Sequence, residues 1–131
     1  MRMFFLIFLL LGLSLTGCSS TPDRVHRLDV TLIGYEKALR WGHWESVVGY
    51  VKPGKPLNNA LIERFGEVNI GGYNRLSRII SDDGQLAKLT VAIDYIDKNS
   101  MKVRKLTDQQ EWEYDQQSGR WLLVSSLPYF K

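Results

Sequence analysis

Residues 86–96 read LAKLTVAIDYI, and this stretch decides the fold. From Leu89 to Tyr95 a large apolar residue occupies every second position, and smaller or polar residues lie between them. Such alternation is typical of a β-strand with one buried face, because successive side chains of a strand point to opposite sides. The stretch therefore predicts a strand of an antiparallel sheet, with an apolar face that needs a covering layer.

Further strands are predicted on both sides of this one. Together the predicted strands cover residues 73–80, 86–96, 101–114 and 120–126. The segments between them are rich in Asp, Asn, Ser, Gln and Gly, as hairpin loops are. Consecutive hairpins make an antiparallel meander, so we expect neighbours in the chain to be neighbours in the sheet.

The last hairpin can also be assigned a register. Pairing of Asp115 with Arg120 around a four-residue loop predicts two more cross-strand pairs. They are Tyr114 with Trp121 and Trp112 with Leu123. Cross-strand aromatic pairs stabilise a sheet. We expect this face to be a core covered by helices; an exposed binding patch is the alternative.

Three helices are predicted before the strands. The first begins near Thr21 as N-cap and ends at Gly42, and its apolar residues recur at helical spacing. They are Val25, Leu28, Leu32, Tyr35 and Leu39. A second helix covers residues 44–51, and a third, capped by Asn58, runs to about residue 65. Gly66, Gly71 and Gly72 are expected to end the helical half.

This order of elements predicts an α+β fold with helices packed on one face of a curved, roughly four-stranded antiparallel sheet. The run 36–44, EKALRWGHW, resembles the helix, glycine break and second helix that open domains of the nuclear transport factor 2-like (cystatin-like) fold. The run 119–124, GRWLLV, resembles that family's terminal hairpin. The resemblance covers most of residues 23–127 and implies a cone between helices and sheet. It implies no single function, since folds host many.

The N-terminal segment is typical of an export signal. Residues 4–11 are all apolar, a run too short to span a bilayer. Residues 15–18, LTGC, resemble the lipobox of bacterial lipoproteins, which implies cleavage between Gly17 and Cys18 and lipidation of Cys18. The alternative is an ordinary secretory signal with an incidental cysteine. The predicted organisation is a signal peptide (1–17), a lipidated N-terminus with a short linker (18–22) and a single α+β domain (23–131).

An acylated Cys18 predicts a partner, the lipid bilayer, and a place in the cell envelope. Several acyl chains anchor a protein stably where one is marginal. By resemblance to the lipoprotein sorting of enterobacteria, Ser19 rather than Asp after the cysteine implies the outer membrane, facing the periplasm. The three-residue linker reaches about 10 Å, so Arg24, His26 and Arg27 are expected near lipid head groups, unless they form an ordinary solvated face.

Composition excludes several classes of function. The chain has 17 basic and 14 acidic residues, and they are interspersed, whereas nucleic-acid domains cluster their basic residues. We therefore expect no nucleic-acid partner. Cys18 is the only cysteine, and the two histidines do not have zinc-ligand spacing. No metal and no cofactor are predicted.

Enzymes of the family that the chain resembles place an acid, a tyrosine or a histidine in the mouth of the cone. The candidates are Tyr35, His43, Asp94, Tyr95 and Asp108. Strand alternation turns Asp94 away from the apolar face of its strand, and His43 between two tryptophans is typical of a structural histidine. The sequence therefore predicts that the protein is not an enzyme.

Two functions from different classes are left. The first is a non-enzymatic, membrane-anchored module that binds an envelope protein partner, using an exposed apolar patch on the outer sheet face or at residues 127–130. The alternative is a binder of a small apolar ligand in the cone, with a pocket at Tyr35, His43 and Tyr95. A cone filled by Trp41, Trp44 and their neighbours would exclude a ligand and an enzyme together.

A basic cluster is predicted around the hairpin at residues 97–100. Its members are Lys98, Lys102, Arg104 and Lys105. We interpret them as solvated partners of Asp94, Asp97 and Asp108. An anion site is the alternative.

Overall fold

The computed structural model describes residues 20–131 and shows three helices followed by a four-stranded antiparallel sheet. The elements are α1 (Thr21–Arg40), α2 (Trp44–Val48), α3 (Asn59–Phe65), β1 (Val68–Ile80), β2 (Leu86–Asp97), β3 (Val103–Asp115) and β4 (Arg120–Leu123). The strand order is β1-β2-β3-β4, a simple meander. The α+β prediction is confirmed. The predicted signal peptide, with Gly17 and Cys18, lies outside the described residues.

Helix α1 ends in a turn that only glycine adopts without strain. Gly42 has a φ of 67°. Its amide donates to the carbonyl of Leu39, and the amide of His43 donates to the carbonyl of Ala38. This Schellman pattern satisfies the last carbonyls of the helix. At the other end of α1 the N-cap is Ser20. Thr21, the predicted N-cap, is the first residue of the helix.

The two short helices begin as predicted. The side chain of Asn58 accepts a hydrogen bond from the amide of Ala60 and caps α3. Helix α2 ends at Val48, three residues earlier than expected, because the chain then turns to pair with the sheet. The amide of Leu123 donates to the carbonyl of Tyr50, and Val51 forms a bridge with Leu123.

Strand β1 begins at Val68, and the prediction that Gly71 and Gly72 precede it is wrong. Both glycines lie inside the strand, at an irregularity in its pairing with β2. A Cβ on Gly72 would lie 3.0 Å from the Oδ2 atom of Asp94. The glycines therefore mark a β-bulge where a neighbouring side chain approaches the backbone closely, rather than a break between elements.

The register of the last hairpin is confirmed. Asp115 pairs with Arg120, and the two further pairs are Tyr114 with Trp121 and Trp112 with Leu123. The expected ends of the strands are less accurate. Strand β3 begins at Val103, because Met101 adopts a positive φ of 56° in the preceding turn, and β4 ends at Leu123 instead of reaching residue 126.

The aromatic face of this hairpin is a core. Trp112, Tyr114 and Trp121 are all buried. The indole N–H of Trp121 donates to the carbonyl of Arg24 on α1 at 2.8 Å, so the helix covers the sheet at this end. The interpretation as an exposed binding patch is therefore excluded for these side chains.

The C-terminal segment belongs to the core as well, and the expectation of an exposed patch at residues 127–130 is wrong. Leu127 and Phe130 are buried, and only Tyr129 of the aromatic residues there is exposed. The ring of Phe130 lies 4.9 Å from that of Tyr95 and 5.7 Å from that of Phe65. Sequence did not reveal this, because a short apolar tail gives no periodicity that shows what it packs against.

Arg64 fixes the tail to the sheet. Its guanidinium donates to the Oδ2 atom of Asp97 at 2.5 Å and to the carbonyls of Phe130 and Lys131. The hydrogen bond from Arg64, and then those from backbone amides, lower the pKa of Asp97 to about 2. The sequence had suggested that Asp97 pairs with the basic hairpin residues. Its partner is Arg64 instead.

The outer face of the sheet is mixed in character. Ile79, Leu86 and Val103 are exposed there. The ion pair of Lys88 with Glu111 lies on the same face, beside Leu86 and Ile79 in the register. Within residues 20–131 none of the helices has the length and apolar character needed to cross a membrane.

Candidate functional site

Two polar side chains of β3 point into the apolar interior. Asp108 and Gln110 are 6% and 1% exposed, and they lie opposite Val91 and Leu89 of the buried face of β2. They share this face with Trp112, because residues two apart in a strand point the same way. A carboxyl and an amide at such positions require hydrogen-bond partners, since burying them without partners is costly.

The amide of Gln110 connects the polar groups of this interior. The indole N–H of Trp112 donates to the Oε1 atom at 3.1 Å. The Nε2 group donates to the Oδ2 atom of Asp108 at 2.8 Å and to the hydroxyl of Tyr73 at 2.9 Å. Because an indole N–H can only donate, it fixes the orientation of the amide. We call Trp112, Gln110, Asp108 and Tyr73 the buried network.

Tyr35 of α1 completes the cluster from the opposite layer. Its side chain is fully buried, and its ring packs edge-on against Trp112 at 5.1 Å and Tyr50 at 5.6 Å. Its hydroxyl has no hydrogen-bond partner among the described residues. Most buried polar side-chain atoms have one, so this hydroxyl is a donor and acceptor that the fold itself leaves unused.

Burial shifts the ionisation of the whole cluster. Removal from water raises the pKa of Asp108 to about 6, against the weaker lowering effect of the Gln110 hydrogen bond. Burial, and then the negative charge of Asp108, raises the pKa of Tyr35 well above its usual range. Tyr73 also has a raised pKa, again mainly through burial. Both hydroxyls are therefore protonated near neutral pH. Asp108, with a pKa of about 6, changes between its neutral and charged forms close to neutral pH.

An open groove lies between α1 and β1, with a volume of about 590 Å³. It is lined by Ile33, Glu36, Lys37, Arg40, Trp41 and Ile70. Glu36 pairs with Arg75 at 2.9 Å, and its charge is the weakest of the effects that raise the pKa of Tyr73. Tyr73 is the most exposed member of the buried network, at 9%.

The structure does not bring together the three residues predicted to line a pocket. Tyr35 lies in the cluster described above. His43 is exposed at the junction of α1 and α2. Tyr95 is buried near the other end of β2, where it packs on Phe130 and its hydroxyl donates to the carbonyl of Lys131 at 3.4 Å.

The other sequence candidates also separate. Asp94 points to the outer face as predicted and forms an ion pair with Lys105 at 3.7 Å. Asp108 does not pair with the basic hairpin, because it lies inside the sheet. Of the basic hairpin residues, Lys105 pairs with an acid as expected, whereas Lys98 donates to the backbone carbonyl of Gly66.

Tyr73, Gln110 and the groove residues were missed by reasoning from the sequence. A signal for Gln110 was present, since Leu106, Asp108, Gln110, Trp112 and Tyr114 form one alternating row of β3. Two polar residues on the otherwise apolar face of a strand predict a buried polar site. Tyr73 gave no such signal, because the bulges in β1 disturb its alternation.

Of the two tryptophans expected to fill the cone, only Trp44 packs against the core. Trp41 is 71% exposed. Trp44 stacks on Phe65, with ring centroids 4.3 Å apart. In residues 20–131 no three His, Cys, Asp or Glu side chains are grouped so that they could hold a metal ion.

The architecture defines a class of fold that two solved structures share. A ketosteroid isomerase-like protein from Erwinia carotovora atroseptica is 15% identical, with a TM-score of 0.57 over 78% of this chain and 92% of that chain. A proposed polyketide cyclase from Xanthomonas campestris pv. campestris is 11% identical, with a TM-score of 0.53 over 82% and 93%. No family model matches the chain, and no curated protein matches it in sequence.

At these identities the likeness shows the fold alone. It confirms the prediction of a nuclear transport factor 2-like fold. The prediction that the protein is not an enzyme is contradicted. Both similar structures are named for enzymes or for their likeness to enzymes, and the interior holds a buried acid with a raised pKa. The sequence argument relied on Asp94, which does point outward, and did not consider that Asp108 points inward.

The raised pKa of Asp108 predicts a pH dependence of stability. The unfolded carboxyl ionises near 3.8 and the folded one near 6. The contribution of the neutral acid is thus fully present below about pH 4 and is lost as the pH rises through 6, by roughly 3 kcal/mol in the free energy of unfolding. Urea denaturation of the wild type and Asp108→Asn at pH 4 to 7 checks this. The difference between the two proteins should change over that interval, and a constant difference would contradict the shift.

Proposed function

We propose that the protein binds a small, largely apolar molecule through an oxygen atom, in the interior between α1 and the sheet. The observation that carries the proposal is the buried network together with the unused hydroxyl of Tyr35. A cluster of convergent polar groups with perturbed pKa values in an apolar setting is typical of a ligand site. The fold shared with the two solved structures supports it, because their names refer to enzymes of small organic substrates.

The polar groups fit a carbonyl or enolate oxygen. Tyr35 has a hydroxyl with no partner among residues 20–131, and Tyr73 accepts from Gln110, which leaves its own proton to donate. A neutral Asp108 adds a third donor. Donors held in place in an apolar site bind a developing negative charge much more strongly than water does. Val91 and Ile93 give these polar groups apolar surroundings.

The same groups can transfer a proton. An acid with a pKa of about 6 is present in both forms near neutral pH, as a general base requires. An ionised Asp108 takes a proton from the carbon next to a bound carbonyl, the C–H electrons form the enolate double bond, and the hydroxyls of Tyr35 and Tyr73 stabilise the oxyanion. Return of the proton to carbon then completes an exchange or an isomerisation.

The binding proposal is tested with 2-acetonaphthone, an apolar ketone, and with 2-ethylnaphthalene, which lacks the oxygen. We expect the ketone to bind more tightly to the wild type, and Tyr35→Phe to weaken ketone binding about tenfold, the effect of one hydrogen bond to a buried site. Binding of 2-ethylnaphthalene should not change. Calorimetric titration measures both.

Tyr129→Phe is the matched control, because Tyr129 is an exposed tyrosine outside the buried network and its loss should leave both affinities unchanged. Equal binding of the two probes, or an unchanged ketone affinity in Tyr35→Phe, would contradict the proposal.

Proton transfer is tested by exchange of the methyl protons of 2-acetonaphthone in D₂O, followed by ¹H NMR. The wild type should accelerate exchange, with a rate that rises as the pH passes through about 6, because the base is the ionised Asp108. Asp108→Asn should reduce the enzymatic rate at least a hundredfold, the range of general-base contributions. An exchange rate that is the same with and without the protein would reject catalysis while leaving binding intact.

We also propose that the domain works in the cell envelope, tethered through an acylated Cys18. The support is the lipobox-like run 15–18 and the start of α1 at Thr21, close after that cysteine. Cys18→Ala expressed in a Gram-negative host should move the protein from the membrane fraction to the soluble periplasm and abolish labelling with an alkyne fatty acid. Retention in the membrane without label would show that the signal is of another kind.

A further inference from the structure

We infer that the groove between α1 and β1 is a subsite for an acidic group, so that the natural ligand is an amphiphilic anion. Such a molecule has an apolar body and one carboxylate, sulfonate or phosphate. The inference rests on the proposed function for the place of the apolar body, and on the groove itself for the acid.

The charges around the groove are unbalanced. Its lining contains one acid, Glu36, and two bases, Lys37 and Arg40. Glu36 forms its shorter ion pair with a third base, Arg75, at 2.9 Å, whereas Arg40 lies at 3.6 Å. Lys37 has no ion pair among residues 20–131 and is exposed. Three positive charges against one negative charge leave the groove attractive to an anion.

The groove also exposes apolar surface beside these charges. Trp41, which follows the helix, is 71% exposed, and Ile33 is exposed one turn before Lys37. A tryptophan is usually buried to a large extent. Here the Schellman turn at Gly42 holds it at the rim, next to Arg40. An aromatic ring adjacent to a guanidinium suits a ligand that is apolar over most of its length and charged at one end.

The position at a helix end offers a simpler explanation for the basic residues, because Lys37 and Arg40 in the last turn of α1 complement the helix dipole. That explanation leaves the rest unaccounted for. The last carbonyls of α1 already accept bonds from Trp41, Gly42 and His43. Neither the exposure of Trp41 nor the extra base Arg75 on another element follows from it.

The groove and the buried network are connected through α1. Glu36 borders the groove and influences Tyr73, and Tyr35 is its neighbour in the chain. On the proposed function, the acidic end of a ligand whose oxygen binds the buried network would be held by Lys37 and Arg40. The class of ligand that fits both is a carbonyl compound with a distant acidic group.

The test compares two dyes with the same ring skeleton, 1-anilinonaphthalene-8-sulfonate and the uncharged N-phenyl-1-naphthylamine. Saturable binding is followed by fluorescence at low salt. We expect the sulfonate to bind at least tenfold more tightly than the uncharged dye. The double variant Lys37→Gln, Arg40→Gln should abolish that difference, and Trp41→Ala should weaken both dyes.

Lys88→Gln is the matched control, since Lys88 is an exposed base on the outer sheet face and its loss should leave the preference intact. Near-ultraviolet circular dichroism shows that each variant is folded. Equal affinities for the two dyes in the wild type, or a preference that survives the double variant, would overturn the inference.

Failure here is distinguishable from failure of the proposed function. If the sulfonate preference is absent but Tyr35→Phe still weakens binding of 2-acetonaphthone, the interior site stands without an acidic subsite. If the preference is present and Tyr35→Phe has no effect on the ketone, the groove binds anions and the interior site falls.

Discussion

The polar interior of this protein depends on one amide, that of Gln110. Strand β3 turns Asp108, Gln110 and Trp112 to the same side, where α1 and the apolar row of β2 exclude water. Each of these groups would be costly alone. The amide accepts from Trp112 and donates to Asp108 and Tyr73, so one side chain satisfies polar groups from two strands. Because those bonds use both ends of the amide, a change at Gln110 would leave three buried polar groups without a partner at once.

The electrostatics follow from this arrangement. Among residues 20–131 Asp108 has a hydrogen bond from Gln110 but no ion pair, so burial dominates and its pKa rises. Asp97, at the far end of β2, has the opposite environment, since Arg64 and two backbone amides hold it in the charged form. Asp97 is thus held in its charged form, whereas burial favours the neutral form of Asp108. The difference arises from the partners and not from the residue type.

The sequence predicted more of the fold than of the site, for a physical reason. Strand alternation and loop chemistry are local, and they predicted the meander and the pairing of Trp112 with Leu123. The extension of β1 through Gly71 and Gly72 was missed, because a bulge and a chain break contain the same glycines. Packing of Phe130 on Tyr95 is a long-range contact without a local pattern. The site shared this difficulty: Tyr35, Tyr73 and Asp108 come from three elements, and only Asp108 and Gln110 stood on a face where polar residues are unexpected.

A buried polar network can exist for a structural reason, since polar groups in a core can specify one packing arrangement over others. That explanation requires that every member be satisfied, because a half-satisfied network is worse than an apolar core. The part formed by Trp112, Gln110, Asp108 and Tyr73 meets the requirement, but the hydroxyl of Tyr35 does not. A phenylalanine at that position would pack against Trp112 and Tyr50 equally well and would remove the cost. Within the described residues, the hydroxyl of Tyr35 is therefore the group of this cluster that a purely structural explanation does not account for.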